Sequence, residues 1–110
     1  MTTKPVVQHF ALTHEQGLHL RPAALLARSA ARFRAEVVIE CHRGAANAKS
    51  VLNLLSLGLA QGDDFRIVAA GEDAEAAVQS ITMVLVSSGA QCLPPPENTS
   101  TKIANIFLRP

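Results

Sequence analysis

Gly17-Leu18-His19-Leu20-Arg21-Pro22-Ala23-Ala24 is the stretch from which the rest of the chain can be read. A glycine makes an elbow, a histidine follows two residues on, and an arginine and a proline head an apolar-periodic run from Ala23 to Phe33. Proline is favoured in the first turn of a helix, where its missing N–H leaves no bond unmade. His19 is therefore expected in the loop at a helix N-terminus. Unpaired N–H groups and the positive pole of the helix dipole make that end a seat for an anion. A histidine held there is placed to carry or to meet phosphate.

Outward from this point the pattern alternates between two periods. Upstream, residues 5–12 read as a strand, with Phe10 and Leu12 on one face and His9 and Ala11 on the other. Downstream, Ala23, Leu26, Ala27, Ala30 and Phe33 form a buried helical stripe, and Arg21, Arg28 and Arg32 fall elsewhere on the cylinder with Leu25 among them. Residues 35–40 read as a second strand, Arg43-Gly44 as a hairpin turn and residues 45–48 as a third strand. Ser50 is a favoured N-cap for a short helix over residues 51–57, which Gly58 ends. After a turn at residues 61–64, residues 65–70 form the last strand. A final helix follows from Gly71-Glu72-Asp73, with Ala74, Ala77, Val78, Ile81, Val84 and Leu85 as its stripe, and ends at Ser87-Ser88-Gly89.

The order βαββαβα, with one-sided helices and alternating strands, predicts an α+β two-layer sandwich: helices on one face of a four-stranded antiparallel sheet, the other face partly open. Residues 1–89 form the domain in this reading. Residues 90–110, with Pro94-Pro95-Pro96 and a polar run, read as a linker or C-terminal tail, and residues 103–108 as a short apolar coda.

Composition narrows the class. A chain of 110 residues, 48% apolar, is expected to be one domain with a core of Val, Ile, Leu and Ala. Net charge is +1 and the aromatics are four phenylalanines, which argues against a nucleic-acid partner despite the arginines of the first helix. No apolar run is long enough for membrane insertion, and residues 1–5 lack the core of a signal peptide, so a cytoplasmic protein is expected. Cys41 and Cys92 read as reduced thiols, and Cys41-His42 lacks a second ligand pair for a metal. His9, His14 and His42 read as surface residues.

Three stretches together resemble the HPr phosphocarrier family of the bacterial phosphoenolpyruvate-dependent sugar phosphotransferase system. They are Gly17 to Ala24, then Asn47-Ala48-Lys49-Ser50 with Leu55-Ser56-Leu57-Gly58, then Gln61-Gly62-Asp63 with Gly71-Glu72-Asp73-Ala74. The resemblance implies an open-faced β-sandwich of four antiparallel strands and three helices. It implies a stoichiometric carrier rather than a stand-alone catalyst: His19 takes a phosphoryl group on Nδ1 from enzyme I and passes it to an enzyme IIA domain, with Arg21 beside it. Ser50 matches the serine that a dedicated kinase phosphorylates in some bacterial lineages. Leu20 and Leu55 depart from the family pattern, which usually has a small or polar residue at the first position and often methionine at the second.

The residue types suit that chemistry. Neutral imidazole is a nucleophile near neutral pH. Transfer through a loose transition state needs mainly positioning and charge stabilisation, which a forked arginine and helix N–H donors supply without cofactor or metal. Leu20, Leu25, Val51, Leu52 and Leu55 are expected to form an apolar docking patch rimmed by Arg21, Arg28 and Lys49, suited to acidic partners. Monomer is the expected state. Two other readings stay open: a regulatory binding module in carbon or nitrogen control that works through Ser50, and the HPr domain of a larger fused phosphotransferase.

Overall fold

Alternation along the first strand decides which way the sheet faces. In the computed structural model, which describes residues 4–95, β1 (Val6–Leu12) turns Phe10 and Leu12 into the core and leaves His9 and Ala11 half-buried on the other side. The remaining elements are α1 (Leu20–Ala31), β2 (Glu36–Cys41), β3 (Gly44–Asn47), α2 (Val51–Ser56), β4 (Asp64–Ala70), α3 (Ala74–Ser87) and β5 (Ala90–Leu93). The strands form one antiparallel sheet in the order β3-β2-β4-β1-β5.

One face of that sheet is the floor of the core. Val37, Ile39, Phe65, Ile67 and Ala69 point to the same side as Phe10 and join Leu26, Ala30, Leu54, Ala77, Ile81 and Leu85 of the helices in a single cluster. Phe10 and Phe65 are register partners, and their rings stack at 5.3 Å. Such a cross-strand aromatic pair adds to the burial that holds the sheet together. The opposite face carries Val7, Val38 and Val68 in one row and His9, Arg66 and Glu40 in the next, and no helix of the described chain covers it. Arg66 donates from Nε to Glu40 at 2.7 Å across that row.

Two boundaries differ from the sequence reading. The sheet has five strands rather than four, because the chain after Gly89 pairs with β1 from Leu12↔Ala90 to His9↔Leu93. The alternation there is too short to register as a strand, and the prolines that follow give it the look of a linker. Those prolines end β5 because they bring no N–H to the edge. The helix α1 begins at Leu20, three residues before its apolar stripe, with Pro22 inside the first turn. Phe33 lies past its end, half-buried against the core. The coda at 103–108 and the tail from residue 96 lie outside the described residues.

Side-chain anchors tie the loops together. Asp73 caps the junction before α3 and accepts from the backbone N–H groups of Arg34 and Ala35 at 2.9 and 2.8 Å. Asp63 accepts from the Ala60 N–H and pairs with Arg43, which also donates to the carbonyls of Leu57 and Gly58. These bonds hold both carboxyls below their ordinary value of 3.8: for Asp73 chiefly the Arg34 N–H, for Asp63 chiefly the Ala60 N–H and then Arg43. Burial, and secondarily Arg66, lowers His9 below 6.5. A lowered folded value means that protons bind the unfolded chain more readily, so stability is lost as pH falls. The melting temperature should therefore decline below pH 6.5 as His9 is forced to charge, and again below the ordinary carboxylate range. Asp73→Asn should lower it at pH 7 and shrink the drop between pH 5 and pH 2, measured by circular dichroism; an unchanged acid limb would contradict the anchoring role of Asp73.

Candidate functional site

His19 is the N-cap of α1, with extended backbone (φ −97°, ψ −173°) and its carbonyl accepting the first helical bond from Ala23 N at 3.0 Å. Its ring makes no capping bond. The residue as a whole is half-exposed, yet Nδ1 is buried and unpartnered, the only such side-chain polar atom among the described residues. Buried polar groups are nearly always paired, so this ring nitrogen stands out among the described residues.

The loop that presents His19 is fixed by close backbone contact. Gly17 has φ +66°, and a Cβ on it would stand 2.3 Å from the Leu59 carbonyl oxygen. The next N–H, from Leu18, donates to that same carbonyl at 3.0 Å. Only glycine combines this left-handed turn with so close an approach. Buried Leu18 pins the loop from beneath.

Two open grooves flank the ring. One is lined by His19, Leu20, Arg21, Ala24, Leu25 and Arg28, an apolar strip between two arginines. The other runs between His14, Arg21, Pro22 and the end of α3 at Ser87-Ser88-Gly89. Arg21 belongs to both and is exposed, so a positive charge reaches each groove. Leu20 is 64% exposed and Leu25 44%, large values for leucines.

The second predicted cluster sits on α2 and lines neither groove. Ser50 is the N-cap, its Oγ accepting from Asn53 N at 3.2 Å, as the sequence indicates. Leu52 is 79% exposed. Val51 and Leu55, read as docking residues, are half-buried and lean onto the core. Lys49 is half-buried too, its Nζ donating to the Phe33 carbonyl at 2.8 Å, so it ties β3 to the end of α1. Packing of α2 onto the core takes Val51 and Leu55 inward. Of the apolar residues read as a docking patch, Leu20, Leu25 and Leu52 are exposed, and Arg21 and Arg28 line one groove with the first two.

One residue of the site escaped the sequence reading. His14, taken as a surface residue, is half-buried with its ring centroid 5.3 Å from that of His19. Two histidines in one pre-helical loop were the available signal, but nothing in their spacing shows that the loop folds one onto the other.

Residues 6–87 match the family described as the PTS HPr component phosphorylation site. The chain belongs to the HPr phosphocarrier family. It is 32% identical over 77 residues to the phosphocarrier protein HPr of Mycoplasma capricolum, a match covering 70% of this chain and 86% of that one. Among solved structures, a histidine-containing phosphocarrier protein of Mycoplasma superposes with a TM-score of 0.74 at 30% identity, over 76% of this chain and 94% of the other. The HPr of Bacillus anthracis gives 0.69 at 32% identity, over 76% and 99%. HPr proteins are phosphocarriers of the phosphotransferase system and work with its enzymes. As in those structures, the fold is an open antiparallel sheet with three helices. No helix among the described residues is long and apolar enough to cross a membrane.

Proposed function

We propose that this HPr-family chain relays phosphoryl groups through His19 Nδ1, accepting from phosphorylated enzyme I and delivering to an enzyme IIA domain in sugar uptake. The observation that carries the reading is the unpartnered Nδ1 at the N-terminus of α1, with Arg21 on both adjoining grooves. In the neutral ring the Nδ1 lone pair attacks phosphorus while the bond to the donor breaks, and the ring proton stays on Nε2. Arg21 and the helix N–H groups take up charge on the phosphoryl oxygens as the transition state forms. Because Nδ1 is buried in the resting state, the imidazole has to turn outward before it can reach phosphorus. Leu20 and Leu25 supply the apolar contact that brings an acidic-rimmed partner over the ring. The relay works in the cytoplasm, as a monomer.

Incubation with enzyme I and labelled phosphoenolpyruvate tests this. An acid-labile, alkali-stable phosphoryl group should appear on the chain; absence of label would overturn the relay.

A regulatory role for Ser50, through a kinase and a phosphorylase acting on it, belongs to the same reading. Its Oγ already accepts a helix N–H, and a phosphoryl group there adds charge that the α2 terminus favours and acidic partners do not. Ser50→Asp should slow phosphoryl uptake from enzyme I several-fold. Ser50→Asn, an equally good cap without charge, should leave it unchanged. Equal rates in both variants would reduce Ser50 to a cap. A purely regulatory module working through Ser50 fits less well, since it leaves the free Nδ1 of His19 without a purpose.

A further inference from the structure

We propose that His14 is a second phosphoryl-contacting residue, holding the group carried by His19 through a hydrogen bond from its Nε2; this rests on the relay assigned to His19 above.

Three observations converge on it. The two rings lie 5.3 Å apart between centroids, tilted by 35°, and line one groove, so the side chains are immediate neighbours. With the imidazole turned outward, a phosphoryl group on Nδ1 enters the groove that His14 and Arg21 also line. Next, His14 is poised as a donor. Its Nδ1 accepts from the Gln16 N–H at 3.1 Å, so that nitrogen carries no proton. In the neutral ring the proton then sits on Nε2, the one remaining donor of the side chain. Finally, the ring is held in place. The Gly89 carbonyl accepts from the backbone N–H groups of Thr13 and His14 at 2.8 and 2.9 Å. Gly89 has φ +95°, and a Cβ on it would stand 2.6 Å from His14 Cβ. The missing side chain at Gly89 is the space that His14 occupies.

His14 and Arg21 line the same groove beside His19, so together they bracket the phosphoryl oxygens: a guanidinium on one side, a neutral N–H on the other. The Nδ1–P bond of His19 is still the one that forms and breaks. His14 neither takes the group nor exchanges a proton. It lowers the free energy of the phosphorylated state and so shifts the poise of the relay toward the loaded carrier.

The test uses the full chain with enzyme I, phosphoenolpyruvate and pyruvate at fixed ratio, and reads the fraction phosphorylated at equilibrium. His14→Phe and His14→Leu remove the donor, whereas His14→Gln restores an N–H near the same place. A hydrogen bond to a charged group is enough to shift the equilibrium about tenfold. The Phe and Leu variants should therefore be phosphorylated on His19 but with an equilibrium constant about tenfold less favourable, and His14→Gln should recover most of the loss. Comparison of Leu with Gln decides the matter if the Phe variant fails to fold. Equal constants in wild type and the Leu variant, or an equal loss in Leu and Gln, would overturn the contact while leaving the relay intact. Failure of the wild-type chain to label would instead overturn the relay, and this contact with it.

Discussion

Replacing His19 with alanine is expected to reduce phosphoryl acceptance from enzyme I to background while leaving the fold unchanged. Both halves of this expectation follow from the ring's surroundings. Its nitrogens make no capping bond, and the helix is started by the His19 carbonyl, which alanine retains. Loss of the side chain should therefore change stability by no more than roughly 0.5–1 kcal/mol, within the range for substitutions that remove no cap or core contact. The chemistry has no such reserve. His9 lies on the far face of the sheet, His42 sits in the turn between β2 and β3, and the Nδ1 of His14 is engaged with Gln16. These three histidines remain in the variant and serve as internal controls. Labelling at the wild-type level in a His19→Ala chain with an unchanged circular dichroism spectrum would remove His19 from the carrier role.

Gly17→Ala should be the most damaging small substitution near the site. The residue adopts φ +66°, which costs an ordinary side chain about 1–2 kcal/mol. The new Cβ would also be driven to 2.3 Å from the Leu59 oxygen and 2.9 Å from Ala60 Cα, both backbone atoms that cannot rotate away. Overlap of this kind costs roughly 1–3 kcal/mol more, for a total of about 2–5 kcal/mol. In a domain of this size that lowers the melting temperature by at least about 10 °C. Gly58→Ala is the matched comparison: it shares the conformation, with φ +62°, but nothing lies within 4 Å of its Cβ position. Its loss should be confined to the backbone component, about 1–2 kcal/mol. Because Gly17 sets the direction of the chain into His19, the variant should also accept phosphate more slowly below its melting point. Equal melting temperatures for the two alanine variants would show that the loop yields and that the close approach to Leu59 does not matter.

The parts of the molecule legible in sequence were those fixed by local rules. A proline two residues after an exposed leucine, followed by alanines and leucines at helical spacing, leaves little choice but a helix start, and His19 stands at its cap. Ser50 obeys the same logic at α2. What escaped depended on contacts between distant segments. β5 is a strand only because β1 offers it an edge, and Ala90 to Leu93 carries little strand character of its own. Val51 and Leu55 look exposed on a short helix until α2 packs against the body of the domain, and Lys49, just before it, is drawn onto the Phe33 carbonyl. His14 joins the site because Gly89, seventy-five residues away in the chain, leaves room for its ring. The sequence therefore placed His19 at a helix start and overlooked the histidine that the fold sets beside it.

Which atom carries the phosphoryl group can be read in a single spectrum. Uniformly 15N-labelled protein, phosphorylated with enzyme I and phosphoenolpyruvate, is observed through long-range proton–nitrogen correlations of its imidazoles with phosphorus coupling retained. Splitting by phosphorus at Nδ1 of His19, with the rings of His9, His14 and His42 uncoupled, is the expected outcome. Phosphorus coupling on any other histidine, or at Nε2 of His19, would contradict the assignment of the buried, unpartnered Nδ1 as the site of transfer.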